Sequence, residues 1–258
     1  MLPGPILVLG AGGFIGANLF RHLIESRDDV FGTTSRSNAW RLQGVNDNAI
    51  KTVNLLAEFE VKHLLDSVKP RTVFNCAAYG AYSFETNVQQ IYRTNFDLVV
   101  TLLERLSTFD IASFVHAGTS SEYGQMSAGP SEETPLLPNS HYAVSKASAA
   151  AAIAYMGAGR GLPCVNLRLY SVYGPMEDSS RLIPQVVIHG ARGQLPEFVD
   201  AKVSRDFVYV DDAVEAFVDA SRQMTPALYG QAFNIGTGRR TSILDVAELA
   251  QELFQIKE

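Results

Sequence analysis

The feature that most constrains this chain lies near its start, where Ile6 to Leu23 reads ILVLGAGGFIGANLFRHL. An apolar run breaks into glycine and resumes as an amphipathic stretch. Glycine weakens strands and helices alike, so Gly10, Gly13 and Gly16 need a reason to stand together. A backbone without Cβ turns sharply and lets another group come close. A strand that ends in such a turn and feeds a helix aims free N–H groups, and the positive end of the helix dipole, at whatever occupies the turn. That arrangement favours a phosphate. A plain tight turn between strand and helix would use the same glycines. The spacing is G-x-x-G-x-x-G, because Ile15 stands where the last glycine of G-x-G-x-x-G would fall.

The remaining chain says what kind of fold carries that turn. Strand-like runs at 6–10, 30–35, 72–78, 113–120 and 164–170 alternate with helical stretches at 14–27, 88–106 and 142–155. Apolar runs bounded by helices read as parallel strands buried on both faces. The expected fold is therefore α/β, a Rossmann-type doubly wound parallel sheet over residues 1–170. The Pro- and Ser-rich loop 125–140 delivers the chain to a helix whose N-cap is Asn139 or Ser140. After Tyr170 the alternation fades, and 171–204 reads as part of a smaller C-terminal substrate lobe. Residues 205–258, with strand-helix pieces at 205–221 and 233–254, read as a return to the sheet.

Composition narrows the function classes. The 258 residues are 47% hydrophobic, enough for a large core. A formal net charge of −6 without a Lys/Arg cluster argues against nucleic acid or an anionic membrane as partner. No apolar run approaches the roughly 20 residues of a membrane helix, and the start has no basic leader region, so the expected location is the cytoplasm. Cys76 and Cys164 lie in apolar surroundings without C-x-x-C spacing, which predicts reduced core thiols and no metal site.

The chemistry-bearing stretch is NSHYAVSKASAAAAIAY. Tyr142 and Lys146 are four apart, so a helix projects both from one face. An ammonium near a phenol favours the phenolate, which turns tyrosine into a usable acid/base for an alcohol or ketone. The preceding strand ends HAGTSSEYG, which puts Thr119, Ser120 and Ser121 at the sheet edge where open α/β folds bind ligands. Those hydroxyls would hold a substrate oxygen, or would simply cap a turn.

Glycines at 10, 13 and 16, then TSSEYG, YAVSK, RLYSVYGP and RDFVYVDD in that order resemble the extended short-chain dehydrogenase/reductase family, the nucleotide-sugar epimerases, dehydratases and ketoreductases. The resemblance covers essentially the whole chain. It implies that Thr119, four before Tyr123, hydrogen-bonds the sugar hydroxyl at the reacting carbon. Tyr142 would move the proton, and Lys146 would lower its pKa and hold the nicotinamide ribose. The cofactor would be lined by Gly10, Gly13, Phe14, Ile15, Gly16, Asn54, Leu55, Ala77, Ala78, Tyr79, Tyr142, Lys146, Tyr170 and Val172, with Asn95 bracing the site. Ser120, Ser121, Arg181 and Arg205 would face the nucleotide-sugar, Arg205 as a clamp on its diphosphate. A surface ion pair with Asp206 is the other reading of Arg205. The family helix that carries the alanines at 147, 149–152 and 154 often builds a dimer interface, so a homodimer is expected. Family members continue past the position of Glu258, so the resemblance also implies a fragment.

Cofactor and reaction follow from departures within the motifs. The segment VFGTTSRS has no acid after Val30 to grip a ribose 2′-hydroxyl, and Arg36 follows Thr34 and Ser35, which favours NADP(H) within an NAD(P) site. Asn54 stands where relatives often carry an aspartate near the adenine. Relatives that eliminate water place an acid pair directly after the threonine, where this chain has Ser120 and Ser121. The expected reaction is therefore hydride transfer at C4 of an NDP-hexose, by a 4-ketoreductase or a 4-epimerase. A 4,6-dehydratase using Glu122 in a shifted role, and a non-catalytic NAD(P)-binding regulator, are the alternatives. His116 reads as a satisfied core histidine, and neither it nor His141 is assigned chemistry.

Overall fold

The computed structural model describes residues 2–35, 39–198, 200–201 and 203–256. The chain starts with β1 (Ile6–Leu9), α1 (Phe14–Ile24), β2 (Val30–Thr34), β3 (Ile50–Thr52), α2 (Glu58–Val68) and β4 (Thr72–Asn75). It continues with α3 (Val88–Tyr92), α4 (Leu98–Leu106), β5 (Ser113–Thr119), α5 (His141–Ala154) and β6 (Cys164–Leu169). The rest holds β7 (Ser171–Tyr173), α6 (Leu182–Gly190), β8 (Ser204–Arg205), β9 (Phe207–Tyr209), α7 (Val210–Arg222), β10 (Ala232–Ile235), β11 (Thr241–Ser242) and α8 (Ile243–Phe254).

Seven strands form one parallel sheet in the order β10-β6-β5-β4-β1-β2-β3. Alternation along the strands feeds two cores. Leu7, Leu9, Val73 and Phe114 meet Val61 and Leu65 of α2, Leu102 of α4 and Ile153 of α5. Ile6, Val8, Phe74 and Val115 meet Leu19 and Phe20 of α1 and Phe217 of α7 on the opposite face. This is the Rossmann-type, doubly wound sheet expected from the sequence. Past β6, β10 joins the main sheet, while β7 pairs with β9 and β8 with β11 in two small sheets.

Several details differ from the sequence reading. The helix expected over 88–106 is interrupted by a π turn at Arg93–Asp97, whose wider spacing carries Asn95 inward. The helix at 14–27 stops at Ile24. β3 and α2 have no counterpart in that reading. Ser140 is the N-cap of α5, its hydroxyl accepting from the Ala143 N–H.

Candidate active site

The glycine turn sits where β1 ends between β2 and β4, the switch point of the sheet. Gly10 has φ +76°, and a Cβ on it would lie 2.7 Å from the Ala77 nitrogen after β4. The two strand ends therefore touch. A Cβ on Gly16 would stand 2.2 Å from the Gly10 carbonyl oxygen, and one on Gly13 would stand 3.3 Å from it. Gly13 caps α1 without a side-chain hydrogen bond, and the first turn, Phe14 and Ile15 included, carries no acid. The glycines thus let β1, the loop after β4 and α1 close tightly around the turn, and the N–H groups and dipole of the acid-free first turn of α1 face it, which fits a dinucleotide phosphate. Gly16→Ala should cost about 1–3 kcal/mol of stability from backbone overlap alone. It should also lose dinucleotide affinity, read by fluorescence titration; unchanged affinity would remove the phosphate role from the turn.

Across the cleft, β5 ends in Thr119 and α5 begins with His141 and Tyr142. The Thr119 side chain faces the Tyr142 phenol. Burial pushes that phenol up to about 12; the Thr119 side chain opposes the shift, and the charges that act on it come from Glu122, Arg181 and Glu85. The strong lowering expected from Lys146 is not realised in this arrangement, for a geometric reason. The Lys146 amine, 1% exposed, turns to β5, where it meets His116 Nε2 at 3.0 Å and donates to the Ala117 carbonyl at 2.5 Å. Burial pulls it down to about 8, with Glu122 and Cys76 opposing. His116 is a core residue, but not an isolated one.

Glu122 is where the structure adds most to the sequence reading. It is fully buried, and its Oε1 accepts from the Thr119 backbone N–H at 2.9 Å while the Thr119 hydroxyl accepts from the Ser121 N–H, a capping box. Its Oε2 accepts from Arg168 Nε at 2.8 Å, and both oxygens accept from Asn166 Nδ2. Arg168 also donates to the Tyr123 hydroxyl, which donates to Asn234 Oδ1. The carboxylate is a structural anchor under Thr119, its oxygens committed to the Thr119 N–H, Asn166 and Arg168. Ser120 and Ser121 occupy the short helical turn above it.

The other expected residues distribute unevenly. Asn95 accepts from the Tyr79 N–H and donates to the Tyr79 carbonyl and the Ser145 hydroxyl, so it ties the loop after β4 to α5. Ala77 and Ala78 lie in that loop, Ala77 packed on the core. Asn54 caps a local turn through Leu56, and its N–H donates to Glu60, with Leu55 between them beyond β3. Tyr170 and Val172 follow β6. Arg181 stacks over Tyr82 at 4.6 Å and donates to the Ala81 carbonyl, at the cleft mouth. Near it Glu177 is half-buried and burial pushes its carboxyl up to about 7. Arg205 is exposed on β8, and the Asp206 carboxylate is engaged by Thr237 and Gly238 instead. Arg36 lies outside the described residues. Cys164 is buried and donates to the Ile153 carbonyl.

Known proteins share this framework. An uncharacterised UDP-glucose epimerase of Bacillus subtilis is 33% identical over 265 residues, covering 96% of this chain and 81% of that protein. The structure of a UDP-glucose 4-epimerase from Thermotoga maritima with UDP-glucose superposes with a TM-score of 0.86 at 26% identity, covering 98% and 83% of the two chains. That of a dTDP-glucose 4,6-dehydratase from Bacillus anthracis in complex with NAD gives 0.84 at 26% identity, covering 98% and 82%. Residues 6–236 match the NAD dependent epimerase/dehydratase family, and with the glycine cradle, the Thr119–Tyr142 contact and these relatives the chain belongs to that family of enzymes.

Proposed function

We propose that this protein transfers hydride at C4 of a nucleoside-diphosphate hexose, as a 4-epimerase. The observation that carries the reading is the meeting of Thr119, at the end of β5, with the Tyr142 phenol at the start of α5, with Lys146 one helical turn behind. Bound in that cleft, an NAD(P) cofactor supplies the hydride acceptor and donor. Thr119 holds the sugar hydroxyl, and Tyr142 takes its proton when the carbinol is oxidised and returns it on reduction. At about 12 the phenol rests as an acid, so a cation must draw near before it serves as a base; Lys146 is that cation. Ser120, Ser121, Arg181 and Arg205 are assigned to the nucleotide-sugar.

Elimination to a 4-keto-6-deoxy sugar finds less support, because Glu122 is committed to Arg168 and serines follow Thr119. A 4-ketoreductase uses the same three residues. It gains support from TTSR at 33–36, which has no acid for a ribose 2′-hydroxyl and so favours NADP(H). On this reading the protein works in the cytoplasm with Cys76 and Cys164 as free thiols, and pairs as a homodimer through the exposed Ala151, Ala154 and Tyr155 of the α5 end. The test is direct. Purified protein is expected to carry NAD(H) and to interconvert a UDP-hexose with its C4 epimer. NADPH oxidation by a nucleotide-linked 4-keto sugar, without epimerisation, would replace the epimerase by the reductase, and failure with both would overturn the reading.

A further inference from the structure

Behind the amine of Lys146 runs a line of buried hydrogen bonds whose direction is fixed at one end. The Ala77 backbone N–H donates to Asn75 Oδ1 at 3.2 Å. Asn75 Nδ2 lies 3.1 Å from His116 Nδ1, and His116 Nε2 lies 3.0 Å from Lys146 Nζ. Asn75, His116 and Lys146 are 0%, 0% and 1% exposed, so bulk solvent does not reach them.

A backbone N–H only donates, so Oδ1 of Asn75 must face Ala77 and its Nδ2 must donate to the ring. His116 Nδ1 is then the bare, accepting nitrogen, and the ring proton sits on Nε2, pointing at Lys146. An ammonium has three donors and no acceptor, so a charged Lys146 would set N–H against N–H. Moving the ring proton to Nδ1 shifts that clash to Asn75, and turning the Asn75 amide shifts it to Ala77. An uncharged amine accepts from Nε2–H and still donates to the Ala117 carbonyl, and every bond in the line is satisfied.

We propose that His116 is a positioning residue: through the fixed direction of the Ala77–Asn75–His116 line it disfavours the ammonium form of Lys146, so that in mildly alkaline solution the amine stays uncharged and parked on β5 until a dinucleotide enters the cleft. The inference rests on the role given to Lys146 under Proposed function. On filling of the cleft the amine gains one proton from solvent and becomes the ammonium required beside Tyr142; no electrons move. The other groups facing it leave this balance intact. The Cys76 thiol, beyond β4, is pushed up to about 12 and stays neutral. Glu122 is held by Arg168 and Asn166, and Tyr142 carries a protonated phenol. His116 itself is held well below the usual imidazole range, by burial first and by Lys146 second, so it adds no charge. The free amine lies at about 8 and the loaded one higher, so the contribution of this proton to binding is fully present below about 8 and is lost as pH rises from there through the loaded value.

Two measurements on the intact protein decide the matter. Nitrogen-15 NMR of the dinucleotide-free protein near pH 9 should show His116 protonated on Nε2 with a bare Nδ1. In Asn75→Asp one carboxylate oxygen still accepts from Ala77, while the other accepts from His116 Nδ1–H, which frees Nε2 to accept from an ammonium; the ring assignment should reverse. Calorimetric titration with NADH and NADPH in phosphate and in Tris, near pH 9, should report uptake of about one proton per wild-type site and little in Asn75→Asp. A wild-type His116 protonated on Nδ1, or equal uptake in both proteins, overturns the inference while leaving the functional reading intact. Failure of both dinucleotides to bind wild-type protein overturns the functional reading, and the parking role falls with it.

Discussion

Tyr142→Phe should lower turnover of a nucleotide-sugar substrate about a thousandfold, within the range that general acid–base groups contribute. Dinucleotide affinity should stay nearly unchanged. The ring volume is kept, so the packing at the start of α5 survives. Thr119 loses the phenol but keeps its place, because its hydroxyl still accepts from the Ser121 N–H and its backbone is still held by Glu122. What disappears is the phenol oxygen placed beside Thr119 to carry a proton. Measuring kcat on the substrate and affinity on the dinucleotide alone separates the two effects. Normal turnover in the variant would strip Tyr142 of its assigned role.

Removing one partner of the pair beneath Thr119 should have the largest effect on stability. Glu122→Gln leaves the Arg168 guanidinium, whose side chain is 6% exposed, without a counter-charge. Breaking a buried pair in this way costs about 3–5 kcal/mol. For a chain of this size that is a fall in Tm of about 10 °C. Arg168→Met alone should also destabilise, because it strands the carboxylate against Asn166. The double variant Glu122→Met, Arg168→Met should recover much of the loss, since neither charge then remains buried. Thermal unfolding of the two single variants and the double variant reads this coupling; additive losses would mean the pair is not a unit.

How far the sequence carried these conclusions depends on range along the chain. The strands at 6–9, 72–75, 113–119 and 164–169 were readable because both of their faces are buried, which leaves continuous apolar runs. β3 was not, because IKT is a three-residue edge strand with one mixed face. α2 does carry a helical stripe at Val61, Leu64, Leu65 and Val68, and that spacing would have revealed it. The Tyr142/Lys146 spacing was also readable, being local. The direction of the Lys146 amine was not, since His116 is 30 positions away and faces it only because β5 packs beneath α5. Glu122 gave a weaker signal of the same kind. Arg168 stands inside an apolar strand run, and a buried arginine needs an acid, but only the pairing of β5 with β6 says which one.

The hydroxyl of Tyr123 ends on Asn234, 111 positions further along the chain. A ribosome delivers the N-terminal part of a protein first. The glycine cradle and the loop after β4 can therefore assemble while the last strand of the sheet is still unmade. The tie from Tyr123 to Asn234 cannot, because it waits for β10. A place for a nucleotide can therefore form on the ribosome before Tyr123, beneath the sugar end of the site, is tied down.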